Sequence, residues 1–300
     1  MVETSISGPW QRHEIPGRVK VAAGNGGLPK VVVTTNVSAA EVYLHGAHVT
    51  GFHKNGEPPL LFMSAQSHFT PGESIRGGVP VCFPWFGSRE GDVAHGFARL
   101  TEWELTKTSV AADGAVTLHF RLPEIPGRIA WKFLRTEFIV TVSDKLTMEL
   151  IATNDSPGAM SLENCLHSYF YVGDIGGVKI CGLKGMYFLD KTESFARKLE
   201  SGDALKIVSE TDRVFPDAPG AVEIHDAKLR RIIRVRKSGS TSTVVWNPWM
   251  TKAREMHDFD PAEYQNMVCV ESGNVRGNKM TLPPGGASTL HVELDGVPLP

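Results

Sequence analysis

Long apolar runs are missing from this chain of 300 residues. Stretches such as Val79 to Phe83 are short and broken at Pro80, far below the roughly 20 residues that a membrane helix needs, so no spanning helix is expected. An excess of one charge is missing as well. Lys and Arg number 31 against 33 Asp and Glu, a formal net charge of -2, whereas a nucleic-acid partner is held by clustered basic side chains. Cysteine is sparse: Cys82, Cys165, Cys181 and Cys269 stand far apart with no C-x-x-C pair. That spacing excludes a zinc ribbon or thioredoxin motif and argues against a disulfide framework, leaving buried reduced thiols as the expectation. Met1 to His13 carry Glu3, Gln11 and Arg12 and no apolar segment of signal-peptide type, so a cytoplasmic location is expected. No low-complexity linker, internal repeat or charge block divides the chain.

What the chain does have is punctuation. Its 30 glycines and 19 prolines, about one residue in six, leave little room for long helices. Leu134, Thr136, Phe138, Val140 and Val142 alternate with Arg135, Glu137 and Thr141, Ser143-Asp144-Lys145 supplies a turn, and Leu146, Met148 and Leu150 resume the alternation, which predicts a hairpin with one buried face. A second hairpin is predicted from Arg231 to Lys237, turning at Ser238-Gly239-Ser240 and returning through Thr243 to Trp246. Further strands are expected at 30–34, 42–44, 116–122, 179–181, 267–271 and 288–294. Only 261–266 and 193–199 look helical. The expectation is all-β: one domain over residues 1–300, a large two-sheet β-sandwich with ligand sites on a concave sheet face or its loop rim.

Gly, aromatic and charged residues concentrate in Ser74-Ile75-Arg76-Gly77-Gly78-Val79-Pro80 and Val81-Cys82-Phe83-Pro84-Trp85-Phe86-Gly87, then in Ala94-His95-Gly96-Phe97-Ala98-Arg99 and in Val244-Val245-Trp246-Asn247-Pro248-Trp249. His167 and Glu271 add two isolated points. Taken alone, a histidine among apolar and small residues is more often a satisfied core side chain than a catalyst. Glu271 is harder to place in a core. Alternation puts it on one face with Met267 and Cys269, and a buried carboxylate must find a partner, stay protonated or face a ligand cavity. His45, His48, His53 and His68 invite a metal site, but no H-E-x-x-H or comparable carboxylate pattern accompanies them, and no metal or other cofactor is expected. The glycine pair Gly77-Gly78 belongs to no P-loop or dinucleotide fingerprint.

Five ordered motifs, Ile75 to Pro80, Phe83 to Gly87, His95 to Arg99, Trp246 to Trp249 and Val268 to Gly273, resemble those of the glucose-6-phosphate 1-epimerases, the hexose-phosphate branch of the aldose 1-epimerase (galactose mutarotase-like) superfamily. The resemblance runs from about Val31 to about Leu294. It implies a β-supersandwich, a hexose 6-phosphate substrate, His167 as general acid, Glu271 as general base, and Arg76, His95, Arg99 and Asp212 as substrate-binding residues.

Those residue types suit anomer interconversion. Opening a cyclic hemiacetal takes a proton from the anomeric hydroxyl and gives one to the ring oxygen, so the site needs an acceptor and a donor, with roles reversed on closure. A neighbouring carboxylate is expected to favour the imidazolium form of His167. Arginine offers a planar fork for phosphate oxygens, with Arg89, Lys252 and Arg254 as further candidates, and Trp85, Phe86, Trp246 and Trp249 offer faces for a pyranose. The rival expectations are an epimerase of neutral aldoses, a glycoside-processing enzyme, which needs two carboxylates, and a non-catalytic sugar-phosphate binder. No exposed heptad suggests assembly, and a monomer is expected.

Overall fold

The computed structural model describes residues 8–300; Met1 to Ser7, the start of the stretch expected to lack a secretory segment, lie outside them. Two eight-stranded antiparallel sheets dominate. The first, here the site sheet, runs in the order Ala196–Leu199, Tyr187–Asp190, Thr211–Phe215, Ser242–Asn247, Met267–Asn274, Asn164–Leu166 and Val81–Cys82, with Tyr169–Tyr171 also pairing with Met267–Asn274. The second, the back sheet, runs Val178–Cys181, Val222–Asp226, Arg231–Ser238, Ala287–Pro298, Leu146–Asn154, Leu134–Val142, Val116–Arg121 and Glu104–Val110. A four-stranded meander over Val19–Ala23, Pro29–Thr34, Ser38–Tyr43 and His48–Lys54, and a two-stranded ribbon of Met160–Leu162 with Met280–Leu282, complete the strands. Among the described residues no helix is long and apolar enough to cross a membrane.

The alternation in the sequence has a direct physical outcome. Leu146, Met148, Leu150 and Ala152 are fully buried while Thr147, Glu149, Ile151 and Thr153 between them are half-buried, as a strand with one face on a core requires. The matching face of the site sheet supplies Val245, Val268, Val270, Phe170 and Leu166 to the same apolar cluster. Each such aliphatic side chain contributes about 1.5–3 kcal/mol when removed from water. Met267–Asn274 is buried along its whole length. Its second face, with Met267 and Cys269, packs against Tyr169, Phe259, Phe62 and Ala253, and Glu271 belongs to that face.

Three local expectations are corrected. Arg231–Ser238 and Ser242–Asn247 do not pair; the first lies in the back sheet and the second in the site sheet. Ser238-Gly239-Ser240 is therefore a corner between sheets, with Gly239 at φ 67° and no room for a Cβ, which would come 1.9 Å from the Thr289 carbonyl oxygen. Turn residues between two alternating runs look the same for a hairpin and for such a corner. Residues 193–199 are not helical. A short 3-10 turn, Lys191–Glu193, is followed by the edge strand Ala196–Leu199, because Ser194 and Phe195 take left-handed φ values of 52° and 64°. Glu271 is not at a strand end either, since the strand continues to Asn274. Residues 261–266 do form a short 3-10 helix, and an α-helix not expected from the sequence spans Trp249–Glu255.

Candidate active site

Strand register brings His167 to Glu271. Asn164, Cys165 and Leu166 pair with Asn274, Gly273 and Ser272, and Tyr169 pairs with Cys269, so the interrupted position between those two segments sets His167 opposite Glu271. The distance from His167 Nε2 to Glu271 Oε1 is 3.2 Å, with the histidine side chain 12% exposed and the glutamate 1%. Oε2 of Glu271 accepts from the Cys165 thiol at 3.6 Å. The His167 ring stacks on Tyr169, centroids 4.8 Å apart and planes 14° apart.

The glycine-rich segments reach the same place by close backbone packing. Gly78 has φ 59°, and a Cβ there would come 2.2 Å from the Val49 carbonyl oxygen. The segment thus threads between Phe62 and Tyr169, hydrogen-bonding to both backbones, and delivers Arg76 to the Tyr169 hydroxyl at 3.0 Å. Arg76 also donates its Nε and Nη2 to Asp258 Oδ2. His95 stands at φ 63°, followed by Gly96 at φ 73° against the Phe83 carbonyl. Its Nδ1 accepts from the Gly87 N–H, which leaves the proton on Nε2 and makes that nitrogen a donor. The ring lies edge-on to His167, centroids 5.8 Å apart. Arg99 donates Nη2 to the Ala94 carbonyl, its Nε is buried without a partner, and it forms no ion pair among the described residues.

Asp212 pairs across the sheet with Trp246, which in turn pairs with Cys269, so all three share the site face. Its carboxylate meets Lys191 Nζ at 2.6 Å. Burial raises the Asp212 pKa against the pull of Lys191. The sequence-predicted set is thus brought within electrostatic reach of one another, His95, Arg76 and Arg99 acting on His167 and Asp212 on Glu271, though Arg76 and Asp212 each arrive already holding an opposite charge.

The protonation state differs from expectation. Burial, reinforced by the Asp212 charge, pushes Glu271 well above the usual carboxylate range. Burial, with His95, Arg76 and Arg99 nearby, pushes His167 well below the usual imidazole range. The adjacent carboxylate is present, yet burial acts on the two partners in opposite directions, favouring the neutral form of each. Burial likewise lowers His95 to about 3.

Of the four aromatic candidates, Trp246 lies edge-on to His167 and Phe86 edge-on to His95. Trp85 is buried against Phe97 and bonds the Val93 carbonyl, and Trp249 packs on Tyr264. Arg89 sits over the Trp85 ring and Lys252 pairs with Glu255 on the short helix. His45 and His48 bond the carbonyls of Glu73 and Gly77 and hold the Arg76 loop from below. Sequence reasoning missed Tyr169, Asp258 and Lys191. Period-2 alternation with His167 was the available signal for Tyr169; nothing local pointed to the other two.

A family model for aldose 1-epimerase matches residues 29–295. The chain is 36% identical over 283 residues, 91% of its own length and 86% of the relative's, to a Cenchrus ciliaris protein provisionally named glucose-6-phosphate 1-epimerase. An Escherichia coli (strain K12) protein of the same provisional name is 34% identical over 247 residues, 82% of this chain and 83% of the relative. The crystal structure of a provisionally named mutarotase from Salmonella typhimurium matches with a TM-score of 0.88 at 29% identity, covering 95% of this chain and 96% of that one. The family match and these relatives make the chain a sugar epimerase of the mutarotase kind. The chain belongs to the aldose 1-epimerase family.

Proposed function

We propose that this chain interconverts the α and β anomers of D-glucose 6-phosphate, with His167 as acid and Glu271 as base, acting as one domain and as a monomer. The observation that carries this is the 3.2 Å approach of His167 Nε2 to Glu271 Oε1. The anomeric hydroxyl and the ring oxygen are bonded to one carbon, so the groups that serve them must stand side by side. Glu271 takes the hydroxyl proton as His167 gives one to the ring oxygen; the open aldehyde turns about its bond to the next carbon, and the roles reverse on closure.

The substrate's own charge completes the pair. A phosphate dianion bound beside the pair raises the proton affinity of His167, and a proton on Glu271 has only the short gap to cross. That transfer arms both groups at once. Arg99 is the guanidinium best suited to the phosphate, because no carboxylate among the described residues neutralises it, with Arg76 in support. His95 offers its Nε2–H to a sugar oxygen, and Asp212 accepts from a sugar hydroxyl. The names of the relatives from Cenchrus ciliaris and Escherichia coli support the same substrate.

A neutral aldose is the second reading, favoured by the neutralisation of Arg76 by Asp258. Freshly dissolved α-glucose 6-phosphate, followed by NMR or a coupled anomer-specific assay beside free glucose and galactose, separates the two. Faster interconversion of the phosphorylated sugar is expected; equal or faster turnover of the free sugars would transfer the activity to neutral aldoses.

A further inference from the structure

Cys269 stands beside the acid/base pair and takes no part in the reaction above. One ligand atom each from His167, Cys269 and Glu271 lies within 4.8 Å of the other two. The backbone explains the grouping. Cys269 and Glu271 are two apart on Met267–Asn274 and share a face, while His167 looks at Glu271 from the neighbouring chain segment in the same register.

Thiolate, imidazole and carboxylate are the three donor types that zinc takes, at about 2.0–2.3 Å from the metal. A tetrahedral centre with those bond lengths sets its donor atoms about 3.3–3.8 Å apart, so side-chain adjustments of about an ångström would close the group around an ion. We propose that His167, Cys269 and Glu271 form a binding site for a borderline divalent cation, zinc foremost, whose occupation silences the acid/base pair. The binding half stands on the geometry; the silencing half rests on the roles proposed for His167 and Glu271.

Charge supports the site. A doubly positive ion meets one thiolate, one carboxylate and a neutral imidazole, so the occupied centre is electrically neutral inside a buried floor. The thiol and carboxyl protons are released on binding. Arg76, whose charge reaches both His167 and Cys269, is already matched by Asp258. Magnesium and calcium demand oxygen ligands and would not compete. Three protein ligands leave a fourth position for water or a sugar hydroxyl.

The test uses the full chain. Zn²⁺ is titrated against a chromophoric chelator, and Co²⁺ is titrated separately because cobalt bound to thiolate absorbs in the near ultraviolet. Expected are one zinc per chain, a thiolate-to-cobalt band, and zinc inhibition of anomer interconversion. In Cys269→Ala the band should vanish and zinc affinity should fall about tenfold or more, at least what losing an outer-sphere partner costs. Basal interconversion should persist there and resist zinc. Cys181→Ala, altering a half-buried thiol on the back sheet, should keep wild-type affinity. No thiolate band in the wild type, or unchanged zinc affinity in Cys269→Ala, overturns the site, and the wild-type cobalt spectrum decides it even if that variant fails to fold. A band without inhibition overturns the silencing. A metal-free wild type inactive on every sugar faults the proposed activity instead, while the cobalt band still decides the site.

Discussion

Arg76 gives both its Nε and its Nη2 hydrogens to one oxygen, Oδ2 of Asp258, at 3.1 and 2.9 Å. The two residues are 182 positions apart in the chain, and their pairing ties the glycine-rich loop to the segment after the Trp249–Glu255 helix. Arg76 in turn holds the Tyr169 hydroxyl, and Tyr169 lies flat against His167. A line of contacts therefore runs from Asp258 to the proposed acid.

Breaking a buried pair from one side leaves the other charge uncompensated, which costs about 3–5 kcal/mol at full burial. Arg76 retains 22% exposure of its side chain and Asp258 8%, so Asp258→Ala is expected to lose about 3 kcal/mol. Urea unfolding measures this; a loss well under 1 kcal/mol would mean the pair does little for the fold. Arg76→Lys should not rescue the geometry, because an ammonium cannot reproduce the planar fork.

Glu271→Gln and His167→Ala should each slow interconversion of glucose 6-phosphate by about 10²–10⁴-fold. Because the two groups exchange one proton, the double variant should be scarcely slower than the worse single one. Anomer exchange by NMR, on variants whose circular dichroism matches the wild type, reads the rates. A folded single variant with near-normal turnover would remove that residue from the chemistry.

Arg99→Ala should discriminate between substrates. A hydrogen bond to a charged group is worth about 1.5–3 kcal/mol, so kcat/KM for glucose 6-phosphate should fall about 10- to 100-fold while that for free glucose changes little. Equal losses on both sugars would make Arg99 a tether of its own loop, through the Ala94 carbonyl, rather than a phosphate ligand.

Acid should destabilise the fold well before the carboxylates titrate. His48 is fully buried with Nε2 2.8 Å from the Gly77 carbonyl, and burial lowers it from 6.5 to about 3. A group with a depressed folded pKa contributes stability above its unfolded value and loses it as pH falls. The affected window therefore runs from about 6.5 down to about 3, and His95 adds to it in the same direction. Between pH 7 and pH 5, His48→Gln should lose about 2 kcal/mol less than the wild type in urea unfolding. An identical fall in both would show that His48 is not protonated on unfolding in that range.

Much of the fold was legible before any coordinates. The alternation from Leu134 to Leu150 gave the correct hairpin, and Met267 to Glu271 gave a correct strand face. The corner at Ser238-Gly239-Ser240 was not legible, because local turn chemistry is indifferent to which sheet receives the next strand. Residues 193–199 misled for a related reason: their helix-forming composition lost to two left-handed residues and an edge pairing with Tyr187–Asp190. Arg76, His95, Arg99 and Glu271 fall within the ordered motifs, whereas His167 and Asp212 stand outside them. The charge states of these positions were not legible, since Asp258 and Lys191 come from segments with no marked pattern.

By itself, then, the sequence determined periodicity, punctuation and the supply of one imidazole, one carboxylate and several guanidinium groups. These are properties of neighbouring residues, and steric and hydrophobic preferences act over such short spans. Only the tertiary structure decided that His167 faces Glu271, that among the described residues Arg76 comes neutralised while Arg99 does not, and that burial pushes the glutamate up and the histidine down. Those outcomes depend on register, distance and desolvation between segments a hundred or more residues apart, and such quantities do not exist until the sheets have closed.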